Sequence, residues 1–315
     1  MGFPGLSLTG HTIKLAQQNY GAHFKLIKAL ADEFQPDAIF PLMDLSIEAN
    51  AMGRHTLFPR MDSATVVKEP FSDRDLEAIE DVNIGFDARL LGYVETLKLM
   101  SLGLPAGMLK CAYVSGPYTL AALLMGADEA AMATVMDPEG LHAVCRAATK
   151  AVHLYARMLI AAGAQAICLL EPSAVMLGPE QFNEFSAAYV RIIAESCHYS
   201  GVSTIYHTCG NTMHLIRVMA GAGVDGLSLD SAETGVDLPA AARAAPGTII
   251  IGNLCPTGSI LSGSPESVAA ETNALLDSMR DCRDFILSTG CDLPQEVPLA
   301  NIAAFMRTGK AYRLG

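Results

Sequence analysis

The chain has no uninterrupted apolar run of the eighteen or so residues that a membrane span requires, although just over half of its 315 residues are apolar. A bilayer-crossing helix is not expected. Positive charge is scarce as well: 21 lysines and arginines face 33 aspartates and glutamates, a formal net charge of −12. Nucleic-acid binding needs a basic surface that this balance does not offer. The opening Met1-Gly2-Phe3-Pro4-Gly5 lacks the basic start and apolar stretch of a secretory signal, so a cytoplasmic location is expected. There is no low-complexity segment or basic tail.

What the chain does have is eight cysteines, scattered rather than crowded. In a reducing compartment that distribution favours thiols and metal ligands over disulfides. Cys111, Cys145, Cys168, Cys197 and Cys282 fall in largely apolar segments and are expected to be small buried hydrophobes. The methionines, Met176 and Met213 among them, read as core filler, and His198 and His214 as helix-face residues.

Short β-branched or apolar runs alternate with helical patterns. Strands are expected over Asp37–Met43, Lys110–Ser115, Ala166–Glu171, Ser203–Thr208, Asp225–Asp230, Thr248–Asn253 and Asp284–Thr289. Helices are expected over Pro138–Ala162, Pro179–Ser200, Pro265–Met279 and Leu299–Tyr312, several of them opened by proline or an Asp/Ser cap. A Gly-x-Gly-x-x-Gly match at Gly221, Gly223 and Gly226 leads into a strand instead of linking strand to helix, so it is not a dinucleotide fingerprint. The alternation predicts one (β/α)₈ TIM barrel domain over 1–315, with a helical N-terminal extension over about 1–36 and an eighth strand in Arg54–Val67 or an irregular stretch nearby.

A barrel collects its chemistry at the C-terminal ends of its strands. Asp44, Ser115-Gly116, Glu171, His207, Cys209, Asp230, Asn253 and Cys291 all fall there. In an extended segment residues two apart share a face, so His207 and Cys209 would present an imidazole and a sulfur side by side. Cys291, at the end of another strand, is the candidate third ligand. One histidine and two thiolates suit Zn²⁺, and three ligands leave a coordination position open.

Together, several motifs resemble the uroporphyrinogen decarboxylase superfamily: Phe40-Pro41-Leu42-Met43-Asp44 with Glu48 to Gly53, Gly116-Pro117-Tyr118-Thr119-Leu120, His207-Thr208-Cys209-Gly210, Gly252-Asn253-Leu254 and Gly290-Cys291-Asp292-Leu293-Pro294. The resemblance is closer to the zinc-dependent branch, the methylcobamide:coenzyme M methyltransferases and their relatives. It implies a zinc at the barrel mouth on His207, Cys209 and Cys291, and methyl transfer from a methylated corrinoid to a small thiol such as coenzyme M. The decarboxylase branch carries an arginine-rich N-terminal segment for the substrate's carboxylates, whereas the first arginine here is Arg54. The decarboxylase tyrosine corresponds to Leu123, its late active-site histidine to Cys291, and of its acidic site only Asp44 survives.

On this basis Asp44, Glu171 and Asp230 are candidate catalytic residues, and Gly116 and Asn253 candidate cofactor contacts. Asp230, or less favourably Glu233, is the candidate fourth zinc ligand, with water the alternative; Asp44 and Glu171 are candidates to hydrogen-bond the zinc histidine or shape the corrinoid opening. No Asp-x-His-x-x-Gly segment holds a corrinoid in this chain, so a partner corrinoid protein is expected to carry it. A sulfonate head group on the thiol would call for an arginine or a cluster of backbone N–H groups, and several arginines are candidates, Arg54, Arg60 and Arg89 among them. The competing readings are a corrinoid methyltransferase with another donor or acceptor (a methoxyarene, a folate or homocysteine), a tetrapyrrole decarboxylase, and a non-catalytic subunit binding zinc or the corrinoid carrier.

Overall fold

A computed structural model describes residues 2–313. Its nine strands are β1 (Ala38–Ile39), β2 (Thr56–Leu57), β3 (Thr65–Val66), β4 (Leu109–Ser115), β5 (Ala166–Leu170), β6 (Ser203–Thr208), β7 (Gly226–Leu229), β8 (Ile249–Leu254) and β9 (Phe285–Thr289). Seven form one curled parallel sheet in the order β1-β4-β5-β6-β7-β8-β9, and helices link its successive strands. This is the TIM-barrel-like arrangement the alternation calls for.

Two expectations about strands need correction. The segment Arg54–Val67 holds no barrel strand: β2 and β3 pair only with each other, antiparallel, as a separate two-stranded ribbon. Only a five-residue helix, Ile47–Ala51, lies between β1 and β2, whereas a parallel neighbour needs a full crossover. The ribbon is tied down by Arg54, whose buried guanidinium donates to the carbonyls of Glu69 and Leu124. The first strand is also shorter than expected, because the Leu42 N–H leaves the sheet and donates to Nε2 of buried His23 (2.8 Å).

The helices follow local signals. Pro138–Ala161 starts with proline at its first position and Asp137 accepting from the Gly140 N–H, and Pro265–Ser278 has a capping box between Ser264 and Ser267. Leu299–Ala311 ends one residue before its expected limit. The stretch from Pro179 to Tyr199 is helical throughout, with a π-helical segment at Asn183–Ala187. Near the start of the chain lie the helices Gly5–Thr9, Ile13–Gln18 and Tyr20–Phe34. Lys310 on the last helix donates to the Phe34 carbonyl (3.1 Å), tying that helix to the end of Tyr20–Phe34.

Cys111, Cys145, Cys168 and Cys197 are buried, as expected, and Cys282 is half-buried against the core. Met213 packs on the core too, but Met176 is 69% exposed on a short 3₁₀ turn and fills nothing. His198 lies on its helix and bonds Asp225, whereas His214 lies in a turn, its Nε2 3.4 Å from the Leu177 carbonyl. Among the described residues no single helix is long and apolar enough to cross a membrane.

Candidate metal centre

Register positions the site. The β6–β7 pairing sets His207 opposite Ser228, and the β8–β9 pairing sets Leu254 opposite Thr289, so Cys209 and Cys291 each emerge just past a strand end. One imidazole nitrogen and the two sulfurs lie within 4.8 Å of one another, close enough to hold one metal ion between them. His207 is 5% exposed and the cysteines are half-buried.

The tautomer of His207 follows from its neighbours. Its Nδ1 lies 3.1 Å from the Ser228 carbonyl, which can only accept, so Nδ1 carries the hydrogen and Nε2 keeps its lone pair. Nε2 faces Cys209 Sγ at 3.2 Å. The Cys291 thiol is brought down to about 5, first by its hydrogen bond with Cys209, while that bond and burial push Cys209 up. One proton shared between the two sulfurs describes the pair.

The loops carrying Cys209 and Cys291 are fixed by their own hydrogen bonds. Asp230 accepts from the Gly210 N–H through Oδ2 (2.7 Å) and from the Ser231 N–H through Oδ1 (2.6 Å). Asn253 Nδ2 donates to the Asp230 carbonyl (2.7 Å). Thr289 Oγ1 donates to the Cys291 carbonyl (2.7 Å), and Gly2 N–H to Asp292 Oδ1 (3.1 Å).

The remaining candidates stand elsewhere. Glu171 is fully buried and accepts from the N–H groups of Tyr118 (3.0 Å) and Thr119 (2.7 Å) and from Ser186 Oγ (2.9 Å). Burial raises its carboxyl to about 7. Gly116 is the residue that lets it in, since a Cβ there would lie 2.0 Å from Glu171 Cγ. Asp44 is buried in an ion pair with Arg89 and accepts from Tyr93 Oη (3.2 Å), Ser46 N–H (3.0 Å) and Ser46 Oγ (2.7 Å). Neither carboxylate hydrogen-bonds His207; Ser228 does.

Of the three arginines, Arg54 is taken up by carbonyls, Arg89 by Asp44, and Arg60 is exposed on the ribbon loop. Glu233 is exposed and accepts from the thiol of buried Cys255 (2.9 Å). Two contributors escape a reading of the sequence. Ser228 is visible only once the strand register is known, and Cys255 carries no spacing signal. Glu48 stands in one of the quoted motifs, but only the structure gives it a role: buried and bonded to the Ser115 N–H (2.7 Å) and Oγ (2.9 Å), it organises the end of β4.

Comparison with known proteins agrees with this architecture. The chain is 31% identical over 161 residues to the methylcobamide:CoM methyltransferase MtbA of Methanosarcina acetivorans, a match covering 50% of this chain and 45% of that one. The match thus spans under half of that relative's length. It is 27% identical to a methylated-thiol–coenzyme M methyltransferase of Methanosarcina mazei, over 87% of this chain and 72% of that protein, and 27% identical to the uroporphyrinogen decarboxylase of Anaeromyxobacter dehalogenans, over 89% and 82%. Among solved structures, a methyltransferase from Methanosarcina mazei matches with a TM-score of 0.88 at 22% identity, over 98% of this chain and 91% of that one. At that identity the likeness is one of fold. Residues 7–312 match the family described as Uroporphyrinogen decarboxylase (URO-D); with a barrel-like sheet and its polar residues gathered at the strand ends, the chain belongs to that family.

Proposed function

We propose that this protein is a methyltransferase that moves a methyl group from a methylated corrinoid, carried by a partner protein, to a small thiol at a zinc ion held by His207, Cys209 and Cys291. The observation that carries this reading is the convergence of one imidazole nitrogen and two sulfurs from two strand ends within 4.8 Å. The donor set fits the ion: His207 offers Nε2 in the correct tautomer, and three protein ligands leave a position for an exogenous group. Bound there, zinc supplies a Lewis acid that keeps a coordinated thiol deprotonated at neutral pH.

The chain's own residues orient and enclose. The Ser228 carbonyl fixes the His207 ring, Asp230 and Asn253 hold the loops, and His207, nearly fully buried, screens one side of the site from water. Relatives named for coenzyme M make that thiol the first acceptor to test. Decarboxylase relatives cover as much of the chain, but a tetrapyrrole's carboxylates need free cations, and Arg54 and Arg89 are already committed.

The test is to follow loss of the Co–C bond of methylcobalamin spectroscopically with a panel of thiols, alongside zinc content in the wild type, Cys209→Ala and Cys291→Ala. The expected outcome is about one zinc per wild-type chain, loss of most of it in both variants, and thiol-dependent demethylation only with zinc present. Full zinc retention in both variants sinks the site. Turnover of uroporphyrinogen, with no thiol reacting, sinks the methyltransferase reading.

A further inference from the structure

Three loops meet at one residue. The carboxylate of Asp230 receives the Gly210 N–H, whose residue follows ligand Cys209. The backbone of Asp230 and Ser231 is the surface on which Gly290 rests: a Cβ at Gly290, the residue before ligand Cys291, would lie 2.6 Å from Ser231 N and 3.0 Å from the Asp230 carbonyl carbon. Asn253, at the end of β8, holds the Asp230 carbonyl from the third side (2.7 Å). The loop after β9 therefore reaches past β8, where the Gly290 N–H donates to the Leu254 carbonyl (2.8 Å), to pack on the end of β7.

We propose that Asp230 is a positioning residue that sets the separation of the two cysteine ligands, and is not itself a ligand. This rests on the zinc reading above. The path from one sulfur to the other runs Cys209–Gly210, across the hydrogen bond to Asp230, through Ser231, and across a bare glycine contact to Gly290–Cys291. Each link is short and leaves little slack. Both oxygens of Asp230 are occupied by backbone donors, so turning the carboxylate toward a metal would release the Gly210 loop. Loss of such supporting contacts typically lowers metal affinity 10–100-fold.

The same strand pair carries its own control. At the opposite end of β6 and β7, Asp225 Oδ2 accepts from the Thr204 N–H (2.7 Å), far from either ligand loop. A general loss of stability should follow from either aspartate; a loss of metal geometry should follow from Asp230 alone.

The experiment measures zinc affinity of the full chain by competition with a chromogenic chelator for the wild type, Asp230→Asn, Asp225→Asn and Gly290→Ala. Folding is checked by circular dichroism, and cobalt(II) is substituted to read ligand geometry from its visible absorption. An amide at position 230 puts an N–H₂ group against a backbone donor, so zinc affinity should fall about 10–100-fold and the cobalt bands should move, while Asp225→Asn stays near wild type. If Asp230→Asn does not fold, Gly290→Ala tests the same path with the carboxylate intact and should produce the same spectral change. Zinc bound equally tightly, with an unchanged cobalt spectrum, in the folded Asp230 or Gly290 variant overturns the inference while leaving the zinc reading standing. A wild type that binds no zinc overturns both.

Discussion

Glu48 is fully buried, with Ser115 as its hydrogen-bond partner and the Asp44 carboxylate nearby, and burial lifts its carboxyl from 4.5 to about 7. An acid whose pKa is raised on folding stabilises the folded chain in its protonated form. That contribution is complete below the unfolded value of 4.5 and is lost as pH rises through about 7. The substitution Glu48→Gln would keep both bonds, because the Ser115 hydroxyl can turn to accept from an amide, and it would remove the titration. Chemical denaturation of the wild type and Glu48→Gln should therefore give curves that diverge between about pH 4.5 and pH 7, the variant gaining on the order of 3 kcal/mol relative to wild type at the upper end. Glu171, also raised to about 7, and His23, lowered to about 3 by burial, titrate in both proteins and drop out of the difference. Parallel curves would mean that Glu48 is charged in the folded state across the range.

The helix Pro117–Met125 begins without a capping side chain of its own, since Gly116 stands at its N-cap. Glu171, from the end of β5, supplies the missing acceptor by binding the N–H groups of Tyr118 and Thr119, where the helix dipole favours a negative charge. The glycine makes this possible, a structural role that stands beside the cofactor contact the motif implies. Gly116→Ala should drive a methyl group into the Glu171 side chain, displace the cap and cost about 1–3 kcal/mol in denaturant unfolding, with zinc content retained. A variant of unchanged stability that loses methyl transfer would return Gly116 to the cofactor site. Capping across two elements is hard to read from a sequence, because the local pattern around Gly116 shows a helix start and nothing of what meets it.

Across the whole molecule, what was legible followed local periodicity. His207 and Cys209, the second just past the end of β6, come side by side as alternation suggests, and the helices from Pro138 and Pro265 announce themselves by proline and cap. What was not legible depended on partners distant in the chain. Thr56, Leu57, Thr65 and Val66 have the residue types of a barrel strand but pair with one another, and β1 stops early because His23 claims a backbone donor. Asp230 reads as a candidate fourth ligand until the Gly210 and Gly290 loops are set against it. The same distribution separates a catalytic metal from a structural one. The hydrophobic core runs through the whole domain, from Leu6 to Phe305, and is built from side chains that owe nothing to the proposed zinc ligands. A small domain folded by its metal collapses when the metal is removed. Here chelation should leave the far-ultraviolet circular dichroism spectrum intact. It should lower the thermal midpoint by only the few degrees that a ligand linking β6 to β9 contributes, and abolish methyl transfer until zinc is restored. Cooperative unfolding on chelation at room temperature would instead identify a structural zinc and count against an open catalytic position.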